Sequence, residues 1–132
     1  MTLRPEHFSE FFYSIHGQPP FPWQIRLAMK VVETGRWPAL LDLPTGSGKT
    51  ATLDIAVFHL ACEADKGSDR KAPVRILFVI DRRIVVDAAF ERARKIARAL
   101  KEADGGVLVA VAERLRALGG ADAPLDVVRL RG

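Results

Sequence analysis

The chain predicts an α/β fold, a parallel sheet with flanking helices, and three observations carry that prediction. Apolar runs of strand length alternate with segments of helical periodicity. Residues 74–80 are β-rich and predominantly apolar, as in a strand buried on both faces. The glycine-rich segment Pro44-Thr45-Gly46-Ser47-Gly48-Lys49-Thr50 stands between a short apolar run and a helical pattern, and strands joined through helices imply crossovers and a parallel sheet.

Each element follows from its residues. Phe8, Phe11, Phe12 and Ile15 recur at helical spacing over 6–15, and Gly17-Gln18-Pro19-Pro20 stops that helix. A second helix over 22–34 places Trp23, Leu27, Ala28, Val31 and Val32 on one face and ends at Gly35. Residues 38–43 read as the first strand, 44–50 as a loop, and 50–64 as a helix carrying Leu53, Ile55, Ala56, Val57, Leu60 and Ala61. Polar residues 65–73 make a surface loop, and 74–80 is the second strand. The helix over 85–100 turns Val86, Phe90, Ala93, Ala97 and Leu100 inward and most of its Arg and Lys outward. Residues 107–112 have strand propensity, but Leu108, Val111, Leu115 and Leu118 step by three and four, so a helix ending at Gly119-Gly120 is expected. A turn at 122–124 leads to a third strand over 125–130. The chain thus divides into N-terminal helices, 1–36, and the sheet-bearing part, 37–132.

The glycine loop carries the chemistry. Gly46 and Gly48 let backbone N–H groups approach an anion where a side chain would collide, and the helix that follows adds the positive end of its dipole. Thr45, Gly46, Ser47 and Gly48 are therefore expected to cradle phosphates. Lys49 supplies a cation for the outer phosphates, and the Thr50 hydroxyl is a hard oxygen ligand for Mg²⁺. The cofactors expected are ATP and Mg²⁺, with Lys49 and Thr50 as the catalytic pair. Leu43 stands where the general P-loop pattern has glycine, which points away from GTPases and kinases.

Gln24 lies upstream of the loop in Pro20-Phe21-Pro22-Trp23-Gln24. A side-chain amide donates and accepts at once, matching the N6 donor and N7 acceptor of adenine, so Gln24 selects ATP over GTP if it reaches the base. Asp81 follows an apolar run, as a Mg²⁺-ordering Walker B carboxylate does, but Arg82 occupies the next position. A small P-loop kinase or nucleotidase using Asp81 is the alternative enzyme.

Composition bounds the rest. The chain has 132 residues, 48% hydrophobic and 27% charged, enough for a core and too apolar for disorder. Between Arg70 and Lys101 ten basic residues face only Asp81, Asp87 and Glu91; such an excess suits polyanions as well as a solvated helix face, leaving a non-catalytic basic nucleic-acid-binding module as a third reading. The longest strictly apolar runs fall far short of the roughly 20 residues that span a bilayer, no leader segment is evident, and the lone Cys62 suits a reducing compartment. A cytoplasmic protein with no membrane partner is expected. Cys62 reads as a small core residue, and His7, His16 and His59 as surface or packing residues without metal-site spacing.

The segments Gly17-x-x-Pro20-Phe21-Pro22-Trp23-Gln24, Trp37-Pro38, Leu43 to Thr50, Asp81-Arg82-Arg83-x-Val85-Val86-Asp87 and Leu130-Arg131-Gly132 together resemble the N-terminal portion of the CRISPR-associated type I helicase-nuclease. The resemblance extends over essentially the whole chain. It implies a superfamily 2 helicase with a P-loop NTPase, RecA-like first domain, here incomplete and cut before the Asp-Glu motif II. The activity implied is an ATP-driven translocase on single-stranded DNA, recruited by an RNA-guided CRISPR surveillance complex and feeding a nuclease in the missing remainder of the polypeptide. Gln24 would be its Q motif, Arg82 and Arg83 its motif Ia contacts to nucleic acid, and Arg131 the start of the next such motif. The 132 residues alone are expected to bind nucleotide without turning it over.

Overall fold

The computed structural model describes residues 2–38, 49–72, 83–119 and 123–127. Five helices dominate them: α1 (Phe8–His16), α2 (Pro22–Thr34), α3 (Thr52–Glu63), α4 (Arg83–Lys101) and α5 (Gly106–Gly119). Short 3-10 turns occupy Pro5–His7, Lys49–Ala51 and Gly67–Asp69. No strand occurs among the described residues, which overturns the α/β, parallel-sheet, RecA-like expectation: the described residues form an all-helical assembly. The expected third strand is the informative miss, because Leu125, Asp126 and Val127 are described and form none. Strand propensity is realised only through cross-strand partners, and none of the described residues pairs with them. The other two expected strands, 38–43 and 74–80, lie outside the described residues except for Pro38, which is not in a strand.

The helix ends follow local chemistry. Pro22 opens α2 at a position where a missing N–H costs nothing. Gly17 and Gly35 close α1 and α2 in the left-handed region, each at φ +71°, and each sends its N–H back to a helix carbonyl, Tyr13 and Val31 respectively, at 2.8 Å. A Cβ at Gly35 would also run into the Lys71 side chain, so this glycine is required twice over.

Helix α3 is the axis of the fold. It packs against α1, α2, α4 and α5 and is buried around most of its circumference, with Leu53, Ile55, Val57, Phe58, Leu60 and Ala61 in the core. Helices apolar on all sides belong in an interior. Phe58 meets Phe8 edge-on at 5.6 Å between ring centroids and Phe11 at 5.4 Å, fastening α1 to α3; such pairs contribute about 0.5–1.5 kcal/mol beyond their buried area. One core cluster draws on all five helices.

Helix α4 faces the core through Ala89, Ile96 and Leu100. Phe90, Ala93 and Ala97 are only half-buried, so the helix is rotated from the expected inward face. Helix α5 begins at Gly106 and places Val107, Val111, Ala112 and Leu115 inside, settling the helix-or-strand ambiguity of that segment by its three- and four-residue spacing. Its first turn is held from afar, because Glu10 on α1 accepts the Val107 N–H at 3.1 Å.

Candidate nucleotide site

The described part of the site is the turn Lys49–Ala51 and the helix it opens. Thr50 is half-buried and Ala51 fully buried. Ala51 caps α3 without a side-chain hydrogen bond, so the cap residue supplies no acceptor of its own to the first N–H groups of the helix. Helix α4 packs against this turn, which brings the element beginning at Arg83 beside the one beginning at Lys49. Thr45, Gly46, Ser47, Gly48, Asp81, Arg82 and Arg131 lie outside the described residues.

Gln24 is 2% exposed and closes its own helix. The Phe21 N–H donates to Gln24 Oε1 at 2.8 Å, and the Gln24 N–H returns to the Phe21 carbonyl at 2.9 Å. This is the reciprocal arrangement of an N-terminal cap, a role that the sequence reading, intent on the base, did not assign.

Behind the turn lies a charged cluster that was not foreseen. Asp54, in the first turn of α3, is fully buried. Arg92 on α4 donates through Nε to its Oδ1 at 2.6 Å, and His16 Nε2 on α1 lies 2.6 Å from its Oδ2. Arg92 Nη2 also lies 3.2 Å from His16 Nε2, so the three side chains meet at one point. Arg92 also lies over the Phe12 ring at 5.5 Å, and Phe12 packs against the His16 ring at 4.6 Å. Arg92 is therefore an internal tie joining three helices. An aspartate amid the apolar residues of the first half of α3 was the available signal, because a buried carboxylate demands a partner.

The far end of α3 carries a second buried carboxylate. Glu63 accepts from His59 at 2.8 Å, from the Ala72 N–H at 2.9 Å and from the Lys71 N–H. Burial pushes the Glu63 pKa up, but the hydrogen bonds from the Lys71 backbone, His59 and the Ala72 backbone outweigh it and leave the carboxyl below its ordinary range. His16 and His59 are thus both partners of carboxylates inside the assembly. Neighbouring Cys62 has its thiol pushed up to about 12 by burial, which fits a packing residue and disfavours a nucleophile. Among the described residues no group of three or more His, Cys, Asp or Glu could hold a metal ion, and no helix is long and apolar enough to cross a membrane.

The family described as ResIII, Type III restriction enzyme, res subunit, matches residues 18–115. That span holds the Gln24 cap, the glycine loop, α3 and α4, and it leaves α1 with His16 outside. No curated protein and no solved structure matches the chain.

Proposed function

This chain belongs to the ResIII family, the res subunits of Type III restriction enzymes and the N-terminal region of superfamily 2 helicases, and from that membership we propose that it is the ATP-binding portion of a DNA translocase. Members of the family act in full length as ATP-dependent helicases and nucleases, bind ATP with Mg²⁺, and work on nucleic acid. The observation that carries the reading is the joining of the Pro44 to Thr50 motif to a turn and helix whose cap residue contributes no side-chain acceptor.

Those residues fit the group they are proposed to hold. Backbone N–H donors, the Lys49 ammonium and the Thr50 hydroxyl are complementary to a Mg²⁺-bound triphosphate. When bound, ATP supplies the phosphoryl bond whose cleavage drives movement. The protein's part is to neutralise and position. A carboxylate one turn into the helix would repel phosphate, and Arg92 offsets that charge from behind. Gln24 is held in a fixed orientation by the Phe21 N–H, and we assign it the reading of adenine; Arg82, Arg83 and Arg131 are assigned to the DNA backbone. The division into an adenine-reading segment, 1–36, and a phosphate-binding segment, 37–132, belongs to the same proposal.

The finer identity proposed is that of the CRISPR-associated helicase-nuclease, recruited to single-stranded DNA by an RNA-guided surveillance complex. It is supported by the Trp23-Gln24 and Asp81-Arg82-Arg83 segments together with the loop. No Asp-Glu dipeptide occurs in the 132 residues, so no motif II is present to order Mg²⁺ and water, and binding without turnover is expected of them.

Calorimetric titration with a non-hydrolysable ATP analogue and Mg²⁺ tests the reading. Saturable binding lost in Lys49→Ala, and selectivity for ATP over GTP lost in Gln24→Glu, are the expected results. The glutamate retains an acceptor for the Phe21 N–H but has no donor for adenine N7. Binding that survives Lys49→Ala unchanged would overturn the assignment.

A further inference from the structure

We propose that the outer face of α4 is a binding surface for the phosphate backbone of single-stranded DNA, formed by Arg94, Lys95, Arg98 and Lys101. The assignment rests on the nucleic-acid side of the function proposed above and adds a site separate from Arg82, Arg83 and Arg131.

The four residues are exposed, and their spacing gathers them into one arc of the helix, about 120° wide at 3.6 residues per turn. The opposite arc is occupied by Ala89, Ile96 and Leu100 in the core, so the basic residues point away from the assembly. Their partners are few. Arg94 lies over the Phe90 ring at 5.7 Å and reaches Glu91 only at 4.0 Å, with both side chains more than half exposed. Lys95, Arg98 and Lys101 have no ion-pair partner among the described residues. The acidic side chains sharing the arc are Asp87, which is half-buried, Glu91 and Glu102. By contrast Arg92, two positions before Arg94, is satisfied by Asp54. From Arg92 onward the helix has therefore sorted its basic residues into one neutralised inside and four left to solvent.

Charge complementarity selects the occupant. The stripe runs about 10 Å along the helix at 1.5 Å per residue, a narrow line of positive charge suited to a single strand. Arg and Lys in such a row position a backbone without reading its bases. The same helix packs on the Lys49–Ala51 turn and is tied through Arg92 to α3, so a strand on its outer face would be connected mechanically to the nucleotide turn.

The test is fluorescence anisotropy of labelled oligo(dT) with the 132-residue chain over a salt series. Wild type should bind with a steep negative log-log slope. The quadruple substitution Arg94→Gln, Lys95→Gln, Arg98→Gln and Lys101→Gln should flatten that slope by up to about 2.8, at about 0.7 per phosphate contact for a single strand. The charge-preserving exchange of Arg and Lys at the same four positions should restore it. Unchanged circular dichroism is expected, and the Lys95→Gln, Arg98→Gln pair, which should lose about half the effect, serves if the quadruple variant fails to fold. An unaltered slope in these variants, absent oligo(dT) binding by the wild type, or equally effective displacement by polyglutamate would each overturn the proposal. If the wild type binds oligo(dT) as described but no ATP analogue, the nucleotide assignment falls and this one stands.

Discussion

The two ends of α3 solve one problem in different ways. Asp54, at the start, is neutralised by side chains from two other helices, His16 on α1 and Arg92 on α4, each 38 positions away. Glu63, at the end, is neutralised close by in sequence, by His59 one turn back and by the backbone of Lys71 and Ala72. The first arrangement crosslinks helices; the second folds one loop against the helix it leaves. A buried charge near the Lys49–Ala51 turn thus holds together what surrounds the turn, whereas the distal charge is concerned only with its own neighbourhood.

Breaking the crosslink should have the largest effect. Arg92→Met keeps the packing stem over Phe12 but strands the Asp54 carboxylate, and a loss of about 3–5 kcal/mol is expected in urea denaturation, typical of a buried pair deprived of one partner. The double variant Asp54→Leu, Arg92→Met should recover more than half of it, because removing both charges removes the stranded one. A double variant no better than the single would mean that the stabilisation lies in packing.

Glu63 should respond to acid. Its folded pKa is depressed, so its contribution is fully present above the ordinary value of 4.5 and is lost as pH falls through the lower folded value. Glu63→Gln should cost about 1–2 kcal/mol at neutral pH and flatten the decline in urea midpoint below pH 4.5. An identical acid profile in wild type and variant would assign that decline to other carboxylates.

The smallest effect sharpens the contrast at the same end of the helix. With its thiol at about 12, Cys62 should react with iodoacetamide at neutral pH at least about tenfold more slowly in the folded chain than in denaturant, since the thiolate is the reactive form. Equal rates would show that the distal end of α3 opens readily.

What was legible in the sequence was local. The bounds of α2 follow from Pro22 and Gly35, and α5 from the spacing of Leu108, Val111 and Leu115, because caps and periodicity act within a few residues. The sheet was not, since strands depend on remote partners, and Leu125 to Val127 have the propensity without the pairing. In the candidate site, the glycine loop lies outside the described residues apart from Lys49 and Thr50, so its phosphate-binding role stays a proposal from residue type. The duties of Gln24 as a cap, and of His16 and Arg92 as counter-charges, were hidden for a similar reason: each is defined by a neighbour, and for Arg92 that neighbour is 38 positions away.

The Glu10 carboxylate at the head of α5 has a bearing on timing. It meets the Val107 N–H across 97 positions, and α5 has no acidic residue in its own first turn to take its place. As the polypeptide leaves the ribosome, α1 emerges well before the segment that it must fasten. Helix α1 therefore waits for α5, and this contact requires a long-range closure whose entropic cost cannot be met until α5 has emerged.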